Sequence, residues 1–287
     1  MSEIKTKVTP FETDDEYHGD KTYPISSTLM NLGYESLPML QRKLLGSDQQ
    51  DDEPQHFTEG KHWHTIRYLG GIDVWRERRA LVVPEEFTIA GGTKVSTGKA
   101  AKEWLDEFQN GRDVVTGKTL DRLAEMDRRF RANKLAVMLE ENAVERELSI
   151  RVDNPEYKFK MKTRPDLISS KLFGYQKPLI LCDYKTTREV DPVRGFKKSV
   201  RSYGYGRSAA FYSWLCRLAG FDVEDMHFLV TSTVSLETQV VRLNEEYLAI
   251  SMDQVLSTLR EISDVWHLLT EGDWHGPNYG SVNWINP

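Results

Sequence analysis

The stretch "LILCDYKTTRE", Leu179–Glu189, constrains the fold more than any other part of the chain. Its opening apolar run suits a buried strand, and that run stops abruptly at Asp183 and Lys185. Successive side chains of a strand alternate faces, so Asp183 and Lys185 point the same way, with Tyr184 opposite. A carboxylate and an ammonium in that position have two readings. One is a solvated strand end closed by an ion pair; the other is a chemical site. The surrounding sequence has to decide between them.

Residues 1–23 are polar and acidic and predict a flexible segment. "PISSTLMNLGYESLPMLQRKLLG" then predicts two helices, the first capped by Ser26 or Ser27 and the second stopped by Gly46. "SDQQDDEPQ" reads as a polar loop, too short to separate domains. "STGKAAKEWLDEFQNG" carries Ala100, Trp104, Leu105 and Phe108 at helical spacing, with Gly111 as a stop. Helical periodicity returns over 118–130 and 132–142.

The pattern changes after residue 142. "ERELSIRVD", "YKFKMKTRPDLIS" and "PLILCDYKTT" read as three strands, the last two joined by the turn-like "SKLFGYQK". A helix over 204–219 ends at Gly220, and "MHFLVTSTV" and "TQVVRLN" form a hairpin. A last helix after Asn244 places Tyr247, Val255, Leu259, Ile262, Trp266 and Leu269 on one face. An all-helical first half followed by a sheet flanked by helices predicts one α/β (α+β) domain over 24–287. Its mainly helical part, 24–142, elaborates a sheet core with a C-terminal helix over 143–287.

Hydrophobic residues make up 39% of the 287 and charged residues 29%, too apolar a balance for general disorder. Neither an apolar run long enough for a membrane span nor an apolar signal core occurs, which predicts neither insertion nor secretion. Two cysteines, Cys182 and Cys216, exclude a disulfide scaffold or a four-cysteine iron–sulfur cluster within the chain, and point to the reducing cytoplasm. The net charge of −6 is unevenly spread. Between Tyr184 and Arg207, seven basic residues face Glu189 and Asp191, a local +5 that leaves −11 elsewhere. Such a stripe on an acidic body can bind phosphate, or it can be a solvated loop and helix face.

Asp166, in "TRPDLIS", stands 17 positions before Asp183 in another predicted strand. A strand, a short connection and a return strand can set the two carboxylates side by side. Paired buried carboxylates repel, and a divalent cation relieves that repulsion. Asp166 can also be read as a turn-capping residue after Pro165. Lys185 beside such a pair suits orienting or deprotonating a water. His62 and His64 could begin a zinc site instead, although no third and fourth ligand stand at useful spacing. In the helix after the strand, Tyr205, Ser208 and Tyr212 share a stripe. It suits stacking on a base or binding phosphate; a core stripe of Ala209, Tyr212 and Cys216 is the alternative. Trp63, Trp104 and Trp266 occupy apolar helical positions and read as core.

Pro165-Asp166 followed by Asp183-Tyr184-Lys185 resembles the PD-(D/E)xK signature of the restriction-endonuclease-like nucleases. "EGKHWHTIRYLGG" resembles the Gly-x-x-x-His helix of the RecB-type and RecE-type branches, with Gly60 and His64 in the matching places. "ERELSI" is similar to the glutamate-bearing first strand, with Glu147 the better match and Glu145 the runner-up. "YGYGRSAAFYSW" is similar to the helix after the active site, and the serine-led opening helix is similar too. The likeness runs through residues 24–220 in order and is closest to the RecE-like, exonuclease VIII-like group of phages and prophages. One position departs from the pattern: Ser208 stands where a glutamine is expected.

The resemblance implies a restriction-endonuclease-like mixed sheet core and a Mg²⁺-dependent deoxyribonuclease, with Mn²⁺ as a possible substitute. It implies His64, Asp166, Asp183 and the Tyr184 carbonyl as metal ligands, and Asp166, Asp183, Lys185 and Glu147 as catalytic residues. Arg188, Lys197, Lys198, Arg201, Tyr205, Arg207, Ser208 and Tyr212 would contact DNA. The expected activity is exonucleolytic resection of linear duplex ends for recombination or repair, leaving 5′-phosphates. A homo-oligomeric ring and a single-strand annealing partner are expected on the same basis. The Ser208 departure keeps open a catalytically impaired DNA-binding or assembly subunit, and His62 with His64 a zinc hydrolase.

Overall fold

The computed structural model describes residues 3–10, 12–46, 55–170 and 178–271. In chain order its elements begin with β1 (Lys5–Thr9), α1 (Asp14–Gly19), α2 (Ser27–Glu35), α3 (Leu37–Leu44), α4 (Gln55–Tyr68) and α5 (Ile72–Arg78). There follow β2 (Ala80–Val83), β3 (Thr88–Ile89), β4 (Lys94–Val95), α6 (Lys99–Phe108), β5 (Asp113–Thr116), α7 (Gly117–Ala132) and α8 (Lys134–Glu141). The strands β6 (Ala143–Arg146), β7 (Ser149–Asp153), β8 (Met161–Thr163), β9 (Leu167–Ser170) and β10 (Leu179–Thr187) come next. The chain continues through α9 (Pro192–Ser202), α10 (Tyr205–Leu218), β11 (Val223–Ser232), β12 (Thr238–Arg242), α11 (Glu245–Asp264) and α12 (Trp266–Glu271).

The central sheet has the order β12-β11-β10-β9-β6. β10 pairs with β11 in parallel, while the other neighbours are antiparallel, so the sheet is mixed. β10 is apolar throughout its first part because both of its faces are covered. Leu179 and Leu181 join Phe228 and Val230 in one core with Phe211, Leu215, Val255 and Leu259 from α10 and α11. Ile180, Cys182 and Tyr184 face a second core formed with Trp63 of α4, Leu123, Met126 and Phe130 of α7, and Leu139 of α8. A smaller sheet, β1-β7-β8, packs its Ile150, Val152 and Met161 into the first core. This is the α/β architecture, a mixed sheet flanked by helices, that the sequence predicts.

Several expectations are corrected. The first half is not all helical: β1 pairs with β7, β2 pairs in parallel with β5, and β3 pairs with β4. The predicted strand "ERELSIRVD" is two strands in different sheets, broken where Glu147 takes a left-handed φ of 50°. "YKFKMKTRPDLIS" likewise divides into β8 and β9 around Arg164, Pro165 and Asp166. Within residues 1–23, β1 and α1 are formed elements, α1 being closed by a reciprocal capping box between Thr13 and Glu16. α9, which the periodicity reading passes over, begins at Pro192 behind an Asp191 cap. The final predicted helix is two, α11 and α12, the latter starting at Trp266. The loop expected over 47–55 lies outside the described residues up to 54, and the turn expected over 170–177 does so from 171 onward.

Candidate functional site

The sheet register creates a notch at one end of β10. Pairing of β9 with β10 ends at Leu167↔Cys182, whereas β11 stays paired to β10 as far as Thr187↔Ser232. The next facing position past the β9–β10 ladder is Asp166 opposite Asp183. On the other side, β6 pairs with β9 up to Arg146↔Leu167, and the Glu147 N–H donates to the Asp166 carbonyl at 3.1 Å. Glu147, Asp166 and Asp183 therefore stand in one row across the ends of three neighbouring strands. Asp166, no longer in the ladder, instead accepts the Tyr184 N–H through its Oδ2 at 2.7 Å.

Lys185 shares the Asp183 face, and its Nζ lies 2.5 Å from Asp183 Oδ2. Burial pushes the Asp183 carboxyl up to about 7; Lys185 opposes the shift and the adjacent Asp166 adds to it. Burial alone would lower Lys185, but the Asp183 and Asp166 carboxylates outweigh it and raise its pKa, holding it as the cation. The ammonium thus pairs with Asp183 and feels the charge of Asp166 as well. Glu147 is pushed up as well, by burial first and then by Asp166, with Arg164 opposing.

α4 delivers His64 to this end of the sheet. Gly60 allows the close approach, since a Cβ there would stand 3.2 Å from Thr186 Oγ1. One turn later, His64 Nδ1 lies 3.3 Å from Asp166 Oδ2. Its pKa is lowered, by burial first and then by Lys185, which keeps the ring neutral and able to act as a ligand. α4 is anchored from beneath by Arg67, whose guanidinium lies over both the Trp63 and Phe130 rings and pairs with Asp127 and Glu140. Glu140 also accepts the Tyr184 hydroxyl at 2.7 Å, which fixes the opposite face of the same strand.

His62 is buried against Trp75. Two residues apart on a helix, His62 and His64 point to different sides, so they do not gather as a zinc pair. Trp63 is fully buried, as its apolar position predicts, whereas Trp104 and Trp266 are half-buried.

The candidate DNA-contact residues divide into two sets. Arg194, Lys197, Lys198 and Arg201 occupy one exposed face of α9, with Phe196 and Val200 buried opposite; Arg188 is exposed before it. Lys198 also pairs with Glu189 at 2.5 Å. In the second set, Tyr205 lies over Lys185, 5.2 Å from Nζ to the ring centroid, and stacks on Phe196. Arg207, Ser208 and Tyr212 are engaged by α2. Asn31 donates to Ser208 Oγ at 2.9 Å and accepts from Arg207 Nε at 2.8 Å, Tyr34 stacks on Arg207, and Ser27 donates to the Tyr212 hydroxyl.

Sequence reasoning missed Arg164. Its Nε lies 2.9 Å from Glu147 Oε2, and it also pairs with Asp14 of α1. Its place two residues before Asp166 in "TRPD" is the only signal that could have found it.

Carboxylate oxygens fit a hard divalent cation, one neutral imidazole tilts the set from Mg²⁺ toward Mn²⁺, and the Asp166–Asp183 pair, when both are ionised, carries more negative charge than Lys185 balances. As positioned, Lys185 and the Tyr184 N–H cap the two carboxylates. Among the described residues no group of three or more His, Cys, Asp and Glu side chains is arranged as a ready cation cage.

A mixed sheet covered by helices on both faces, with acidic residues at one strand end, defines the class of fold. The crystal structure of a protein from Eubacterium rectale named "Putative exonuclease" is similar to this chain. The TM-score is 0.55 over 96% of this chain and 95% of that one, at 13% identity, a likeness of fold. No family model matches the sequence, and no curated protein matches it. Among the described residues no helix is long and apolar enough to cross a membrane.

Proposed function

We propose that this chain is a divalent-metal-dependent deoxyribonuclease, acting as an exonuclease on linear duplex ends. The observation that carries the reading is the row Glu147, Asp166 and Asp183 across three strand ends, with Lys185 two residues beyond and His64 brought in by α4. Fold likeness to a protein named as an exonuclease supports the same reading. In it, Asp166, Asp183, His64 and the Tyr184 carbonyl would hold Mg²⁺, or Mn²⁺ in its place. When bound, the metal supplies Lewis acidity toward the scissile phosphate and lowers the pKa of a water. Lys185, held as an ammonium, donates to and orients the attacking water and offsets charge building on the phosphate. Tyr205 limits the freedom of Lys185 from above. The exposed basic face of α9, at the same end of the sheet, neutralises the DNA backbone on either side of the cut. A role in recombination or repair, a ring-shaped homo-oligomer and a single-strand annealing partner rest on the sequence resemblance.

The test is incubation of the purified protein with linear and covalently closed duplex DNA, in Mg²⁺ or EDTA, beside Asp183→Ala. Mg²⁺-dependent loss of the linear DNA alone, absent in the variant, is the expected result. Cutting of both substrates would retain the site and make the enzyme an endonuclease. Equal cutting by Asp183→Ala would remove the site, and no cutting at all would favour a DNA-binding subunit.

A further inference from the structure

Glu147 leaves the sheet through a left-handed backbone, so no strand neighbour sets the direction of its carboxylate. Among the described residues, one side chain does. Arg164, only 10% exposed, donates from Nε to Glu147 Oε2 and pairs with Asp14 of α1, and its guanidinium carbon lies 4.5 Å from the centroid of the Tyr17 ring. A guanidinium presents its donors in a rigid planar fork, so it can hold two carboxylates in a fixed relation. We infer that Arg164 is a positioning residue for Glu147 and that α1 holds it in place. The amino-terminal segment is then a wall of the active site; the inference rests on the nuclease reading above.

The segment is built to do this. β1 runs antiparallel to β7 from Lys5↔Asp153 to Thr9↔Ser149. Arg151, buried, bonds Glu12 at 2.5 Å and Asp20 at 2.6 Å, one before α1 and one after it. Buried Lys162 donates to the carbonyls of Tyr17 at 2.5 Å and Asp20 at 2.9 Å. α1 is therefore fixed at both ends, and buried Tyr17 forms the floor beneath Arg164. Asp14 is 81% exposed, and an ion pair that open contributes little to stability. Its place beside Arg164 instead sets where the guanidinium sits.

The experiment uses the full chain on linear duplex DNA in Mg²⁺, comparing wild type, Arg164→Ala, Asp14→Asn and the double variant. Arg164→Ala is expected to lower kcat about tenfold or more with KM for DNA changed by less than about threefold. Asp14→Asn, which removes an exposed charge and spares the fold, is expected to lower kcat about threefold. The double variant should be no slower than Arg164→Ala, because Asp14 acts through Arg164. Millimolar guanidinium should restore part of the Arg164→Ala rate, and matched sodium chloride should not. Hydrogen exchange in EDTA should show the β1 amides equally protected in all four proteins. Three results would overturn the inference while leaving the nuclease reading intact. These are kcat for Arg164→Ala within about twofold of wild type, additive losses in the double variant, or lost β1 protection without guanidinium rescue. A wild-type protein that never cleaves DNA would overturn both.

Discussion

Lys185 Nζ lies 2.5 Å from Asp183 Oδ2 on one face of β10, and Asp166 faces Asp183 past the end of the β9 ladder. The ammonium is the near cation of a buried carboxylate pair. Lys185→Met should therefore leave Asp183 buried, beside a like charge and without its partner, at a cost of about 3 kcal/mol. Adding Asp183→Asn should recover most of that loss, since an amide ends the repulsion. Urea unfolding in EDTA measures both. Equal stability of Lys185→Met and wild type would mean that the pair does not hold the strand end.

Gly195 of α9 packs against the strand end that carries this pair. A Cβ there would collide with Thr187 Oγ1 and stand 2.9 Å from Glu189 Cβ, too close unless α9 lifts away. Gly195→Ala is expected to cost about 1–3 kcal/mol. It should also weaken DNA binding, because the basic face moves with the helix. Gly117, where an added methyl would meet nothing within 4 Å, is the control and should accept alanine without loss. Denaturant melts and fluorescence anisotropy on the two variants separate the outcomes.

The central strand was legible because β10 carries its own signature: an apolar run buried on both faces, then charge where its neighbour stops; that the sheet is mixed came from the resemblance alone. The spacing of Asp166 and Asp183 allowed them to stand side by side on antiparallel strands, and the register Leu167↔Cys182 puts them there. The break at Glu147 was not legible, because a left-handed φ at a glutamate is a tertiary demand and no local propensity announces it. The anchoring of residues 5–20 was hidden for a related reason. Polar composition suggests loose chain, but Arg151 and Lys162, 130 residues and more downstream, supply buried partners for those same polar groups. Ser208 read as a departure at a functional position, whereas the structure gives it Asn31, a contact between α2 and α10 that helical spacing does not reveal.

Arg194, Lys197 and Arg201 rise from α9 at spacings of three and four, exposed and on one face. If they meet phosphates, replacing all three by glutamine should reduce the slope of log affinity against log salt by about 2–3. Anisotropy with labelled duplex in EDTA, across a salt series, gives the slope. Arg207→Gln should behave differently, loosening the contact of α10 with Asn31 and Tyr34 while leaving the salt slope nearly unchanged. An unchanged slope in the triple variant would remove α9 from the DNA path.

The hold of Arg151 on the amino-terminal segment should fail in acid. Burial alone would raise Glu12 and Asp20, but hydrogen bonds and charge from Arg151 outweigh it and bring both below their ordinary values. A carboxylate whose folded pKa is depressed contributes stability that is fully present above its unfolded value of about 4 and is lost as pH falls through the folded one. Hydrogen exchange of the β1 and α1 amides should therefore be slow at neutral pH and accelerate as pH drops below about 4, relative to amides in β10 and β11. Arg151→Met should remove that dependence: its segment would already exchange quickly at neutral pH and gain little further on acidification. Exchange in the wild type that tracks β10 at every pH would mean the segment is released only with the whole sheet, and that Arg151 is not what ties it down.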